Sequence, residues 1–530
     1  MGGSHVERRR FLETALGTLV AAGFLPSGVS SAVAAEQGGD NANGQPFDRA
    51  RLEDMARKLA ESSYDPVPEI PESQLPEMKR RTYKAIGYRP DRALWADRAR
   101  AFRARFFHPG LYYRQPVSLY EVVDGTARPI PFDKADYSYP NDELKQQVGE
   151  NIGHAGVHLF HHLNWQRDVV SFLGATYFRA VGQTMQYGIS ARGIAIDTTD
   201  IGSEEFPRFT DFWLERPGEN QQHVRVHALM DGESVTGAYS FDIWPGATTE
   251  VNVDALIFPR RELSRVGIAP LTSMYAYGEN DYVGRRIYRS EAHDSDGVQV
   301  HRGNGEWIWR PLTNPHDPRV SSFVDENPRG FGLCQRDRAF DHYQDPGANY
   351  EDRPNLWIEP GEAWGKGAVE LVELPTSQET LDNIIAYWKP DSPLKPGEGH
   401  RFTYRQRWGS RPPVPGPSGA RVVATRLGRG GKPGGRNSGT KFVIDFAGGD
   451  LPMLAPDRHP TAVVKTSRGE TYNQHVFRIE KTGNWRVEFD MKADGDEDVD
   501  LRCFLSLDGA ALSETWLYRW NPVRWDESRS

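Results

Sequence analysis

Short segments in which apolar and polar residues alternate recur along most of the chain. Residues 224–230 (VRVHALM), 240–244 (SFDIW) and 250–257 (EVNVDALI) show this period of two, and each ends near Gly, Pro or Asp. Such alternation is typical of a strand with one buried face. Gly and Pro number 52 and 37, about a sixth of the chain, and supply many turns. We therefore predict an all-β fold dominated by a large antiparallel β-sandwich.

The length of 530 residues is too great for one ordinary core, so more than one domain is expected. A Pro- and Gly-rich stretch at 388–399 is typical of a linker. It separates a large β-sandwich at 45–392 from a small immunoglobulin-like domain at 400–525. Apolar residues at helical spacing predict an amphipathic helix over residues 47–60. Strands of the smaller domain are predicted at 402–408, 441–446, 462–466, 485–491 and 501–505.

Residues 1–35 have the pattern of an export signal. The sequence ERRRFL at 7–12 precedes an apolar stretch at 15–25 and an A-x-A site at 32–35. Adjacent arginines before two apolar residues favour the twin-arginine route. The apolar stretch is about half the ~20 residues that a membrane-spanning helix needs. We expect a mature protein that is soluble in the periplasm, with no membrane span.

Charge and cysteine content exclude two further classes. The chain has 64 Lys and Arg against 73 Asp and Glu, a net charge of -9. This acidic balance argues against nucleic acid as a partner, because neutralising phosphates requires a basic excess or patch. Two cysteines, Cys334 and Cys503, cannot form a disulfide framework. We predict two buried thiols in preference to one bridge.

Three local patterns resemble ligand sites and fail on closer comparison. The Gly-rich stretch 428–435 has Pro433 where a phosphate loop has Ser or Thr, and the alternating Asp residues at 494–500 have Val499 where a calcium loop has Gly. The alternative of a metal site on one helical face would use His154, His158, His161 and His162. No carboxylate or Cys stands at a zinc spacing beside them. We expect no metal and no cofactor.

The stretch from His293 to Asp382 combines carboxylates, arginines, glycines and tryptophans. Aromatic faces suit the C–H surfaces of a sugar, and charged or amide groups suit its hydroxyls. The candidate substrate-binding residues are Trp307, Trp309, Trp357, Arg302, Glu306, Arg329 and Asp296. A structural network of salt bridges and turn-forming Asp residues explains the same composition equally well.

Glu379 and Asp382 supply the pair of carboxyl groups that glycosidic cleavage uses, one to protonate the leaving oxygen and one to activate water. They are three residues apart, so on a turn of helix both would face the same way. As neighbours, each would raise the pKa of the other, which favours one as an acid near neutral pH.

Several longer motifs are similar to those of the periplasmic glucan biosynthesis proteins, a family with G-type and D-type members required for osmoregulated periplasmic glucans. The matching motifs occur in order within residues 45–520, and include FLGATYFRAV at 172–181, YGISARGIAID at 187–197, DENPRGFGL at 325–333, QRDR at 335–338 and ETLDNI at 379–384. The twin-arginine pattern favours the D-type member.

The resemblance implies a large sandwich like that of galactose mutarotase, followed by an immunoglobulin-like domain, with a cleft for β-1,2-linked glucan. It implies an inverting endo-β-1,2-glucanase in which Asp382 is the general acid and Asp294 accepts the proton of the attacking water. Glu379 is implied as a supporting carboxylate and Tyr350 as a hydroxyl that orients substrate or relays the proton. Asp296 lies in the same motif as Asp294, so the choice between them stays open.

Other functions stay open beside hydrolysis. One is a non-catalytic scaffold that binds and guides nascent glucan, and another is transglycosylation by the same acid. A mutarotase-like role follows from fold analogy alone. The expected partners are β-1,2-linked glucan, the inner-membrane glucan synthase and a second copy of the chain in a homodimer. The residues themselves predict neither endo nor exo action and no chain-length preference, and the endo action given above is what the resemblance implies.

Overall fold

The computed structural model describes residues 44–96, 100–198, 204–281, 288–411, 419–431 and 439–523. Strands make up 48% and helical segments 9% of the chain, and the strands form several sheets. The prediction of an all-β sandwich fold is confirmed. The expected export signal lies outside the described residues, as does part of the Gly-rich stretch. No helix in the ranges above is both long and apolar enough to cross a lipid bilayer.

The chain divides into two compact units, each made of segments that are not contiguous in sequence. Among the described residues, the first unit draws on Met1–Ala180, Arg192–Ile268 and Pro393–Tyr404, and the second on Val181–Ala191, Ala269–Ser392 and Arg405–Ser530. Three strands have residues in both units: Ser190–Arg192, Val266–Ser273 and His400–Gly409. The domain boundary predicted between residues 392 and 400 stays a prediction.

The first unit consists mainly of antiparallel strands. Strand Thr249–Pro259 alternates between buried and half-buried residues along its whole length, as a period of two predicts. Strand Arg208–Glu215 pairs antiparallel with Val224–Asp231 and parallel with Ser118–Val123. The other strands are Gln45–Pro46, Gly87–Tyr88, Phe102–Phe107, Thr126–Pro129, Tyr137–Ser138, Gly156–His161, Asn164–Leu173, Tyr177–Ala180, Ile194–Ile196 and Val235–Trp244.

The helix Arg49–Ala60 confirms the predicted amphipathic helix. The carboxylate of Asp48 begins it by accepting a 2.8 Å hydrogen bond from the backbone N–H of Arg51, a donor that otherwise lacks a partner in the helix. Leu52 and Ala56 point inward and are fully buried. The other helical segments of this unit are Arg80–Lys84, Pro90–Arg92, Lys134–Asp136 and Asp142–Gln147.

The second unit contains most of the remaining strands and few helical residues. Its strands are Tyr275–Tyr277, Ala292–His293, Gly297–His301, Trp307–Pro311, Arg319–Glu326, Gly330–Cys334, Asn355–Pro360, Lys366–Glu373, Ile384–Pro390, Arg421–Arg429, Thr440–Ala447, Thr461–Thr466, Glu470–Arg478, Trp485–Lys492, Val499–Leu507, Ala510–Ala511 and Thr515–Trp520. Its helical segments are Phe340–Tyr343, Tyr350–Asp352 and Leu451–Met453.

Two sheets in the C-terminal part of this unit share one core. One sheet includes Val499–Leu507 and Thr515–Trp520, and the other includes Thr440–Ala447 and Trp485–Lys492. Their inward side chains form a single hydrophobic cluster that includes Phe442, Ile444, Val487, Phe489, Leu501, Leu505 and Trp516. The strands predicted at 441–446, 462–466, 485–491 and 501–505 are present, and the one predicted at 402–408 lies within His400–Gly409.

Both cysteines are buried and free, as predicted. Burial raises the pKa of the Cys334 thiol to about 12. The thiol is therefore protonated at neutral pH, and it behaves as a small apolar side chain.

Candidate active site

The segment from Ser273 to Tyr275 anchors the two predicted catalytic aspartates. The backbone N–H of Asp294 donates to the carbonyl oxygen of Met274 at 2.8 Å, and the N–H of Asn383 donates to the carbonyl of Ser273 at 3.1 Å. Asp294 and the residue after Asp382 thus bind consecutive carbonyl groups. One short stretch of backbone therefore holds both Asp294 and the residue that follows Asp382.

Asn383 fixes the position of Asp382. Its side-chain oxygen accepts from the N–H of Tyr275 at 2.8 Å, and its amide nitrogen donates to the carbonyls of Tyr275 and Leu374 at 3.0 and 2.9 Å. Asp382 itself is 4% exposed. Residues 379–382 form a turn and a bend, not a helix. The hydrogen bonds of Asn383 therefore hold the backbone next to Asp382, and this segment is not helical.

Tyr350 and Glu379 form a direct hydrogen bond. The Tyr350 hydroxyl donates to Oε2 of Glu379 at 3.2 Å, and the guanidinium of Arg289 pairs with the other carboxylate oxygen. Burial, together with the negative charge of Asp294, raises the pKa of Tyr350. The hydroxyl therefore keeps its proton at neutral pH and serves as a donor.

Asp294 is paired with an arginine. It is 4% exposed, and Oδ1 accepts a hydrogen bond from Nη1 of Arg353. The same guanidinium lies 4.3 Å from the ring centroid of Tyr350 and donates to the carbonyl of Ala348 at 3.0 and 3.2 Å. Contacts therefore run without interruption from Asp294 through Arg353 and Tyr350 to Glu379.

Asp296, the alternative to Asp294, has a different environment. Its carboxylate accepts hydrogen bonds from the backbone N–H groups of Arg336 and Asp337 at 3.0 and 2.9 Å. Burial raises the pKa of this carboxyl. It borders a cavity of about 30 Å³ that Glu279 and Glu291 also line, a volume sufficient for water but not for a sugar. The carboxylate thus organises the loop at 336–337.

Glu291, Asp337 and His342 each bring one potential metal-ligand atom to within 4.8 Å of the others. The same side chains form close hydrogen-bonded pairs. Nδ1 of His342 lies 2.5 Å from Asp337, and Glu291 lies 2.7 Å from Nε2 of His293. These hydrogen bonds explain the orientation of all three side chains, so we do not assign them as ligands.

The histidines considered as metal ligands do not share a helical face. His158 and His161 belong to strand Gly156–His161, in which successive side chains point to opposite faces. Nδ1 of His154 lies 2.8 Å from the hydroxyl of Tyr137. The metal-site alternative required a helical face, and this segment instead has the hydrogen bonds of a sheet.

Three predicted substrate-binding residues meet at one hairpin turn. Arg302 donates to Glu306 at 3.0 Å, and Glu306 also accepts from Arg502 at 2.7 Å. The Trp307 ring stacks on His301 with a centroid separation of 4.0 Å. Glu306 and Trp307 line a groove of about 450 Å³ with Asn304, Arg502, Phe504 and Ser513.

The four catalytic candidates do not line this groove, so the structure places the predicted site residues in at least two groups. Two of the predicted tryptophans are buried: Trp309 is 4% exposed with Arg336 at 3.5 Å from its ring centroid, and Trp357 is 2% exposed. Arg329 is exposed, and its backbone N–H donates a hydrogen bond to the carbonyl oxygen of His301 at 2.9 Å. The substrate-binding roles of these residues stay predictions.

Arg353 and Arg289 were not identified from the sequence. Each pairs with a carboxylate far away in the chain, at separations of 59 and 90 residues. An ion pair between such distant residues leaves no recognisable pattern in the local sequence.

Gln335 lies in a motif that carries the family resemblance, but the hydrogen bonds that it makes are visible only in the folded structure.

The sequence matches the family described as "Periplasmic glucan biosynthesis protein, MdoG" over residues 47–520. It is 47% identical over 489 residues to the "Probable glucans biosynthesis protein D" of Shewanella oneidensis, which covers 91% of this chain and 90% of that protein. It is 45% and 43% identical to the glucans biosynthesis proteins D of Xanthomonas campestris pv. campestris and Stenotrophomonas maltophilia, with 98% of both chains covered in each comparison. The chain therefore belongs to the periplasmic glucan biosynthesis protein family and has a role in making periplasmic glucans.

Proposed function

We propose that this protein hydrolyses β-1,2-linked glucan with inversion, with Asp382 as the general acid and Asp294 as the final proton acceptor. The observation that carries the proposal is that Asp294 and Asn383, the residue after Asp382, bind the consecutive carbonyls of Met274 and Ser273. An inverting glycosidase needs two carboxyl groups that leave room for a water molecule between them.

In the proposed reaction, the water oxygen forms a bond to the anomeric carbon while the glycosidic C–O bond breaks. Asp382 gives its proton to the leaving oxygen. The proton of the water passes to Asp294, and the Tyr350 hydroxyl is the proposed relay, because a neutral hydroxyl both donates and accepts. The next turnover requires Asp382 to be reprotonated and Asp294 to release its proton.

Charge supports this division of roles. The positive charge beside Asp294 comes from Arg353, which pairs with its carboxylate. The choice of Asp294 over Asp296 rests on the contact of Arg353 with Tyr350 and on the use of Asp296 by the loop at 336–337.

The test uses purified mature protein and linear β-1,2-glucan, with chain length followed over time. We expect shortening by the wild type and its loss in Asp382→Asn. Asp391→Asn, at an exposed position, is the matched control and should cleave at the wild-type rate. Absence of shortening by the wild type, or full activity of Asp382→Asn, contradicts the proposal.

A second candidate function is glucan binding without cleavage. The groove with Trp307 and Phe504 favours it, because it combines aromatic surface with amide and hydroxyl groups apart from the four catalytic candidates. This function predicts glucan binding without products, and weaker binding in Trp307→Ala while Asp382→Asn binds normally. Formation of shorter chains by the wild type contradicts a purely non-catalytic role.

The proposal includes export by the twin-arginine route. It is supported by the arginines at 8–10 ahead of the apolar stretch. The test is cell fractionation of the full chain and of Arg8→Lys/Arg9→Lys/Arg10→Lys. We expect the variant to stay in the cytoplasm, and equal periplasmic amounts of both proteins would contradict this route.

A further inference from the structure

Gln335 is a fully buried side chain at the end of strand Gly330–Cys334. The two hydrogens of its amide nitrogen are shared among three acceptors: the carbonyl oxygens of Tyr350 and His293, both at 3.1 Å, and the hydroxyl of Tyr343 at 2.9 Å. Its backbone N–H donates to the side chain of Asn355 at 2.7 Å. One amide group thus joins the backbone of Tyr350 to the residue next to Asp294.

The hydrogen bonds determine how the Gln335 amide is oriented. Carbonyl oxygens only accept, so the NH₂ group must face Tyr350 and His293. The Gln335 oxygen then faces Nδ1 of His293 at 2.9 Å, which requires a hydrogen on that nitrogen. Nε2 of His293 faces the carboxylate of Glu291 at 2.7 Å. Both ring nitrogens therefore have acceptors, and this arrangement is complete only with a positively charged imidazolium.

We propose that Gln335 and the His293–Glu291 ion pair are positioning residues that hold Tyr350 and Asp294 in their relative places. The inference rests on the proposed hydrolytic function. Gln335 touches neither candidate carboxylate. It acts on the backbone that carries the Tyr350 hydroxyl and on the residue before Asp294. Small displacements of reacting groups lower the rate of catalysis. Residues that hold these groups in place therefore affect the rate even without touching the substrate.

The groups that face His293 favour its charge. Glu291 and Asp296 come from its own segment, Gln335 and Tyr343 from the following ones, and Tyr275 stacks on the ring with centroids 5.4 Å apart. The small cavity beside it adds Glu279, Arg336 and Asp337. Burial opposes the charge, but Glu291 and Asp296 raise the pKa of His293 to about 8. Above that pH the ring loses one N–H and one of its two hydrogen bonds.

The experiment compares kcat, KM and pH–rate profiles on β-1,2-glucan for Gln335→Met, Glu291→Gln and the wild type. Gln335→Met keeps the size and removes the hydrogen bonds, so we expect kcat to fall at least about tenfold with little change in KM. In Glu291→Gln the loss of the carboxylate lowers the pKa of His293. We therefore expect the alkaline limb of the pH–rate profile to shift to lower pH by about one unit or more. Gln406→Met is the control, because Gln406 is equally buried and lies outside this network.

Nitrogen-15 NMR of the imidazole gives a readout that does not depend on activity. We expect both His293 nitrogens of the wild type to carry hydrogens near neutral pH, and the titration to move to lower pH in Glu291→Gln. Unchanged kcat in Gln335→Met, a loss equal to that of Gln406→Met, or an alkaline limb that does not move in Glu291→Gln overturns the inference alone. If the wild type does not cleave glucan, the proposed function and this inference fail together.

Discussion

Tyr350 donates a 3.2 Å hydrogen bond to Glu379, across 29 residues of sequence, and both side chains lie beside charged partners. Arg289 neutralises Glu379, and Arg353 lies over the Tyr350 ring. A neutral hydroxyl that donates to a carboxylate can pass a proton on without becoming charged itself. This relationship makes Tyr350 the most informative side chain of the candidate site.

Tyr350→Phe removes only the hydroxyl. We expect the rate of β-1,2-glucan cleavage to fall about 100-fold, because proton relay is lost. The free energy of unfolding should change by no more than about 1 kcal/mol, since one hydrogen bond to a partly buried carboxylate is removed. Steady-state kinetics and urea unfolding measure the two effects. A variant that cleaves as fast as the wild type would show that the hydroxyl has no part in the reaction.

Arg353→Met leaves the buried carboxylate of Asp294 without its cation. Breaking one side of such a pair costs about 3 kcal/mol of unfolding free energy, and we expect a loss of this size in urea unfolding. Adding Asp294→Asn should recover part of it, because the unpaired charge is then gone. Arg478→Met, at an exposed position, should change stability little. Equal stability of the wild type and Arg353→Met would contradict a structural role for the pair.

Glu279 makes stability depend on pH. Burial, with repulsion from Glu291, raises its pKa from 4.5 to about 7 against the attraction of Arg426. The folded protein therefore holds this proton more tightly than the unfolded chain does, and the free energy of unfolding falls as pH rises from 4.5 to 7. Glu279→Gln should reduce this fall by up to about 3 kcal/mol.

Urea unfolding of the wild type and Glu279→Gln at pH 4.5 and pH 8 measures this difference. Glu398→Gln, at an exposed position, is the control and should follow the wild type at both pH values. A Glu279→Gln profile that is parallel to the wild-type profile would mean that Glu279 titrates normally.

Asn383→Ala removes the side chain that fixes the backbone beside Asp382. Two buried carbonyls and one buried N–H lose their partners, so we expect the free energy of unfolding to fall by about 3 kcal/mol. Cleavage should fall more steeply than stability at temperatures where the variant stays folded, because Asp382 loses its direction. Full activity of the folded variant would show that Asp382 is held by other contacts.

The sequence predicts the features that depend on neighbouring residues. Alternation locates strands such as Thr249–Pro259, and helical spacing locates Arg49–Ala60. Features that depend on distant residues are not accessible in this way. The pairing of Asp294 with Arg353 and the amide bridge of Gln335 arise only when separate strands meet in one unit.

The direction of Asp382 was beyond prediction for a similar reason. Spacing from Glu379 suggested a helical turn, but the amide of Asn383 fixes the chain through contacts with Tyr275 and Leu374. Composition alone does not predict which tryptophans are accessible to a ligand. Trp307 borders a groove, whereas Trp309 and Trp357 are buried in the same unit. Composition identifies a candidate sugar-binding side chain, and burial decides whether a sugar can reach it.

The most direct test is the anomeric form of the first products released from linear β-1,2-glucan, followed by proton NMR before mutarotation. Inversion of a β-linkage by Asp382 and Asp294 predicts that the new reducing ends appear first as the α-anomer, and that Asp382→Asn releases none. Release of the β-anomer, or no release by the wild type, would contradict the proposed mechanism.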